Sequence, residues 1–254
     1  MLVPAVEFGK RFASMAWLTG PIFDKELRVS SRRRRNYVLR FLYILLLAGF
    51  LSLFWAGEMS RGGGGGLSQV SRMAEAGKGM TSFVVWFQFI AAQLIAIIML
   101  SNSISDEIYN RTLGLLMTTP INSFQIVVGK LLSKLLQIIL ILGISLPPLA
   151  IIRVFGGVPW DYVVSSLCIT LTTAVFAGSL SLLFSVFSRR AYAVMLGVIL
   201  TLFVVFGLLP WLCGVLWYLL TDSWPNPRLM AIIFFANPYG VMTYTTGMMI
   251  SPMG

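Results

Sequence analysis

The residues best suited to chemistry are sparse in this sequence, and their spacing excludes most of it. There is no histidine. That removes His-ligated zinc and haem, Ser-His-Asp hydrolysis and His-based proton shuttling. The two cysteines, Cys168 and Cys213, lie in long apolar runs, where a thiol behaves as a small buried hydrophobe. Gly129-Lys130 is followed by Leu131, and no glycine stands five residues before Gly129. The GxxxxGK[ST] loop that cradles nucleotide phosphates is therefore absent. The run Gly62–Gly66 has no Lys-Ser or Lys-Thr after it, so the whole stretch 58–79 reads as a flexible loop. No constellation of acids, bases and metal ligands is present that could catalyse a reaction. The sequence implies no cofactor, no metal and no enzyme activity of its own.

One short segment does concentrate charge. Asp106–Met117 reads DEIYNRTLGLLM. At about 100° per residue, Ile108, Tyr109, Thr112, Leu113, Leu115 and Leu116 share one arc. Asp106, Glu107, Asn110, Arg111 and Gly114 share the opposite arc, with Met117 as the one apolar intruder. Glu107 and Arg111 are spaced i, i+4 and can pair. Pro120 ends the helix, because the residue before a proline avoids helical angles. Two readings of this amphipathic helix stand side by side: a surface helix parked in the lipid interface, or a lever on which a soluble partner pushes.

The elements that must position that helix are membrane spans. Of the 254 residues, 57% are AVILMFWYC and only 11% are charged, against about 25% charged in ordinary domains. Mean hydropathy is +0.86. Crossing about 30 Å of hydrocarbon takes roughly 20 apolar helical residues. Five stretches qualify, at about 36–57, 80–104, 128–152, 162–187 and 191–220. A sixth apolar run, 229–254, is interrupted by Asn237-Pro238-Tyr239-Gly240 and by Pro252, and reads as a broken or re-entrant segment. The expected fold is an all-α polytopic membrane protein. Residues 1–35 form a cytoplasmic amphipathic and basic section, and 36–254 the transmembrane domain. The run at 36–57 is no signal peptide, being too long and too far from the N-terminus.

The basic residues orient the chain. With the N-terminus cytoplasmic, only Arg61, Arg72, Lys78, Arg153 and Arg228 of the 19 lysines and arginines fall outside. This is the positive-inside pattern expected of a cytoplasmic-membrane protein. It absorbs nearly all of the net charge of +10 and leaves a nucleic-acid role without support. Residues 4–18 form an amphipathic helix suited to lie on the inner leaflet. A second helix opens at Pro21 and runs through Arg28 into Arg32, Arg33, Arg34 and Arg35, a basic run that fixes topology and meets anionic lipid. No ionisable residue stands near the middle of a span, and Lys130 and Lys134 fall at the inner end of the third. Ion coupling therefore has no carrier, and energy for any transport must come from another subunit.

Two segments are similar to the signatures of a known family. Pro21-Ile22-Phe23-Asp24-Lys25-Glu26-Leu27-Arg28, followed by basic residues and a span, resembles the N-terminal signature of type-2 ABC exporter permeases. Arg111-Thr112-Leu113, Leu115-Leu116, Thr119-Pro120 and Gly129-Lys130 resemble its second signature, although Gly114 stands where the family often has an acid. The resemblance implies that 106–118 is the coupling helix, with Asp106, Glu107, Asn110 and Arg111 facing a cytoplasmic ABC ATPase subunit. It implies a further contact at the basic helix (Arg28, Arg32–Arg35) and a second permease subunit, identical or different. It also implies six spans, the last after an outer re-entrant element; residues 229–253 resemble that element, and the sequence ends where the last span is expected. A non-transport membrane scaffold or assembly protein would share the hydropathy and topology, and is the alternative.

The topology is testable. In a background lacking Cys168 and Cys213, a cysteine at Ser68 should react with an impermeant thiol reagent on intact cells, and one at Asn122 should not. Labelling at Asn122 but not at Ser68 inverts the assignment.

Overall fold

The computed structural model describes residues 34–60, 67–101, 123–188, 190–221 and 226–251. Among these residues every regular element is helical and no strand occurs. The helices are α1 (Arg34–Ser60), α2 (Leu67–Leu100), α3 (Ser123–Gly156) and α4 (Trp160–Phe187). They are followed by α5 (Ala191–Phe203), a π-turn (Val204–Leu208), α6 (Leu209–Thr221), α7 (Pro227–Ala236) and α8 (Pro238–Ile250). Five stretches are long and apolar enough to cross a membrane: Tyr37–Gly57, Ala74–Leu100, Val127–Arg153, Trp160–Phe187 and Ala191–Thr221. The last is one span built from α5, the π-turn and α6. The expected helices over 4–18 and 106–118 lie outside the described residues.

Two expectations need correction. The stretch 58–79 is not a loop throughout, because α1 runs on to Ser60 and α2 begins at Leu67. Hydropathy sees only the apolar part of α2, whereas the polar turns before it are made of good helix formers such as Gln69, Met73, Ala74 and Glu75. At about 1.5 Å per residue, the 34 residues of α2 outreach the hydrocarbon, so its first turns need no apolar sequence. The second correction concerns Cys168 and Cys213, which are exposed rather than buried. Lys130 and Lys134, near the start of α3, are buried, at 2% and 8% exposure.

Lipid is as apolar as leucine, so hydrophobicity alone does not pull spans together; close packing and polar contacts do. α2 is the hub. Its apolar window is 61% buried, against 11% for that of α1 and 17% for that of the fifth span. α4 presents to it a row of small residues, Ser166, Thr170, Ala174, Ala177, Gly178 and Ser181, all buried. A Cβ on Gly178 would stand 2.7 Å from Leu100 Cδ1, which shows how closely the two helices approach. Ser181 Oγ donates across the interface to the Ile97 carbonyl at 3.1 Å. Several hydroxyls of α4 return to their own backbone, as Thr170 Oγ1 does to Ser166 O at 2.7 Å, which satisfies them within the helix.

α3 runs antiparallel to α2. Ser145 Oγ donates to Gln88 Oε1 at 2.9 Å in the buried middle of the pair. At the far end, backbone meets backbone, and an added Cβ on Gly156 would stand 2.6 Å from the carbonyl carbon of Gly77. The chain then turns into α4 through Gly157, whose φ of 61° suits glycine. Arg153 clamps this turn. Its Nε donates to Val158 O at 2.7 Å, and its guanidinium lies 4.1 Å from the Trp160 ring centre, a cation–π contact. α1 rests on α2 through aromatic pairs, Tyr43 with Phe87 and Phe50 with Phe83.

The run after 226 is broken, as expected, and the break is at Asn237. α7 descends beside α6, with Met230 against Gly214. α8 climbs back between α2 and α4. Tyr239 bonds Gln93 deep in the bundle, Thr246 bonds Tyr162 near the start of α4, and Lys78 Nζ reaches the Ile250 carbonyl. The two helices therefore form a hairpin that enters the bundle at one end and returns to that same end.

Gly156→Ala should lower the stability of the detergent-solubilised protein by about 1–3 kcal/mol, the usual range for overpacking. Gly143→Ala is the control, since its Cβ meets nothing within 4 Å and its thermal midpoint should not fall. Equal midpoints for the two variants would contradict the close approach at Gly77.

Candidate functional site

The residues singled out for partner docking sit beyond the described helices. Asp106, Glu107, Asn110, Arg111, Arg28, Arg32 and Arg33 lie outside the described residues, while Arg34 and Arg35 open α1. The antiparallel packing of α1, α2 and α3 fixes where the flanks of these segments lie. The start of α1, the end of α2 at Leu100–Ser101 and the start of α3 at Ser123 are at one end of the bundle, opposite the hairpin. So the start of α1 and the described residues on either side of 102–122 lie at the same end of the bundle. Buried Lys130 and Lys134 belong to that end as well.

Between α2 and the fifth span, sequence reasoning missed a cleft. It has a volume of about 410 Å³, within the range of small-molecule sites. One wall is α2, with Ile90, Leu94 and Ile97; the other is the fifth span, with Ile199, Phe203 and Phe206. Its polar groups are Gln93 and Tyr239, which are tied to each other, Tyr239 Oη donating to Gln93 Oε1 at 2.6 Å. Gln93 Nε2 in turn donates to Phe89 O at 3.2 Å. Aromatic edges surround the pair, with the Phe89 and Phe206 rings 5.1 and 6.0 Å from that of Tyr239. No charged side chain lines the cleft. It can shelter an apolar group, with one hydroxyl and one amide within reach. It offers no proton donor of useful acidity and nothing for a metal; among the described residues there is no cluster of metal-ligating side chains.

Signals for this cleft existed in the sequence but had no partners attached to them. Gln93 is a lone amide in an apolar span, Pro210 interrupts the fifth span, and Asn237-Pro238-Tyr239 breaks the last apolar run. Nothing in residue spacing says that three such distant interruptions meet.

Among the described residues the chain is an all-helical bundle with five helices long and apolar enough to cross a membrane and a broken hairpin inserted from one end, the architecture of a multi-pass membrane protein. Residues 21–253 match the family model described as ABC-2 family transporter protein. The chain belongs to the ABC-2 transporter family, whose permeases associate with ABC ATPase partners. No curated protein matches the sequence at a significant level.

Proposed function

We propose that this chain is the membrane-spanning subunit of an ATP-driven exporter, energised by separate cytoplasmic ATPase subunits and paired with a second permease subunit, identical or different. ATP is hydrolysed on the partner, since this sequence has no nucleotide-binding pattern of its own. The observation that carries the reading is the family match, which runs through both signature segments and all five spans. The basic-residue asymmetry supports placement in the plasma membrane with the N-terminus in the cytoplasm.

In this reading the helix over 106–118 lies against the ATPase. Its polar arc (Asp106, Glu107, Asn110, Arg111) faces the partner, and its apolar arc holds to the ends of α2 and α3. The basic residues Arg28 and Arg32–Arg35 make a second contact with the partner and with anionic lipid. That the described residues flanking both segments lie at the same end of the bundle supports a shared docking face. The cleft between α2 and the fifth span supports an apolar or amphipathic cargo, because it offers no charge to balance an ion.

Glu107→Arg and Arg111→Glu should leave the protein level normal, since a surface charge change is worth under about 0.5 kcal/mol. Each should reduce ATPase co-purification and coupled ATP hydrolysis. A polar substitution at Leu116 should instead lower the amount of protein. If both charge reversals keep full partner binding and hydrolysis, the helix is not the coupling element, and the reading of a helix parked in the lipid interface stands.

A further inference from the structure

Pro210 stands inside the fifth span, seated in α6 just after the π-turn. A proline in a helix interior has no N–H for the carbonyl four residues back, and its ring collides with that carbonyl. Here the carbonyl is that of Phe206. The chain accommodates the ring by widening to the π-turn Val204–Leu208, in which the Leu209 N–H reaches back five residues to Val204 O. Such turns are rare and cluster at functional places.

The Phe206 carbonyl accepts a hydrogen bond from outside its own helix, from Asn237 Nδ2 at 2.6 Å. The other half of the same amide is also used, because Asn237 Oδ1 accepts the Tyr239 N–H at 3.0 Å and so caps α8. Two residues on, Tyr239 Oη donates to Gln93 of α2. The result is a continuous chain of bonds, from the Phe206 carbonyl through Asn237 and Tyr239 to Gln93. It crosses from the fifth span to α2 at the level of the cleft. Beyond that level α7 rests on α6, α8 rests on α2 and α4, and the hairpin fills the gap between the two walls.

We propose that Asn237 and Tyr239 form a releasable strap between the proline-kinked fifth span and α2, and that the cleft opens toward the hairpin end only when the strap parts. Asn237 is a positioning residue. Its donor half answers the carbonyl that Pro210 cannot serve, and its acceptor half fixes the start of α8. The strap is a property of the bundle alone; its use as the exit gate for cargo rests on the exporter reading above. The strap suits this role because it is small. A pair of single hydrogen bonds can be broken and remade, whereas an apolar seal of the same extent would need a larger area to separate.

The test uses the full chain in lipid nanodiscs, with Cys168 and Cys213 replaced by serine. A reporter cysteine replaces Leu202, a cleft-lining residue only 6% exposed. The readout is its rate of labelling by a water-soluble maleimide. Asn237→Ser keeps an oxygen that can cap α8 but is too short to reach Phe206. It should label roughly tenfold faster, the factor that corresponds to about 1.4 kcal/mol. Tyr239→Phe removes one hydroxyl, releases the α2 end of the strap and should also accelerate labelling. Pro210→Ala restores an N–H that can serve Phe206 within the helix, so in that background Asn237→Ser should change the rate by less than about twofold, a coupling that a double-mutant cycle reads directly. A purely structural cap at Asn237 predicts the same effect of Asn237→Ser with or without Pro210, and that result overturns the proposal. So does native-rate labelling in both Asn237→Ser and Tyr239→Phe, the second of which keeps the test open if the first does not accumulate. Loss of the exporter reading would show elsewhere, as failure of the full chain to co-purify with any ATPase subunit, and would leave the labelling result unaffected.

Discussion

In hydrocarbon no water is present to complete a hydrogen bond, so each backbone N–H and C=O must find its partner in the protein. That single requirement organises what is described of this molecule. It makes every element a helix. It sends the hydroxyls of Thr170, Thr172, Thr173, Ser179 and Thr201 back to carbonyls of their own helices. It also turns each interruption of a helix into a point where another element must intervene. The break at Asn237 is capped by its own side chain, and the kink ahead of Pro210 is answered from the hairpin. The turn after α3 is closed by Arg153. The irregular places are thus the places where helices are tied together.

The packing follows the same logic. Apolar residues gain little by leaving lipid for a neighbouring helix, and small and polar groups stand in the interior beside large apolar side chains such as Phe89, Ile138 and Leu149. α4 contributes serines, threonines, alanines and glycine toward α2, while its Val164, Leu183 and Val186 stay exposed to the surroundings. α2 contributes Thr81, Gln88 and Gln93 to the interior. Large apolar side chains cover the outside of the bundle as well as filling its core, and the polar contacts between helices lie in the interior.

The spans were legible in the sequence because hydropathy is additive along a chain and charge marks the edges. The break in the last apolar run was legible for a similar reason, since Asn237-Pro238 acts locally. The start of α2 at Leu67 was not, because a polar helix that projects beyond the membrane has the composition of a loop. The burial of Lys130 and Lys134 was not either: a window that averages charge places lysines at an edge and cannot see which face of α3 they occupy. The cleft was the least legible. It depends on residues 93, 206 and 239 meeting, and periodicity within one helix carries no information on its register against another. The segment 106–118 is the opposite case, with motif and amphipathic arc plain in the sequence and no position among the described residues.

The concentration of contacts on α2 bears on the order in which the molecule can be built. Synthesis delivers α1 first, and α1 is nearly self-sufficient in lipid, with few buried side chains and aromatic contacts only along one side. α2 comes next, carrying Gln88 and Gln93, whose bonds to other helices form only later. Gln88 meets Ser145 of α3, α2's closest small-residue neighbour is α4, and Gln93 waits for Tyr239, close to the last described residue. A nascent chain halted anywhere before the hairpin therefore holds its most polar span incompletely matched. Such an intermediate is exposed to quality control until the hairpin is made, and the residues from Tyr239 onward supply the last contacts that tie the central helix into the bundle.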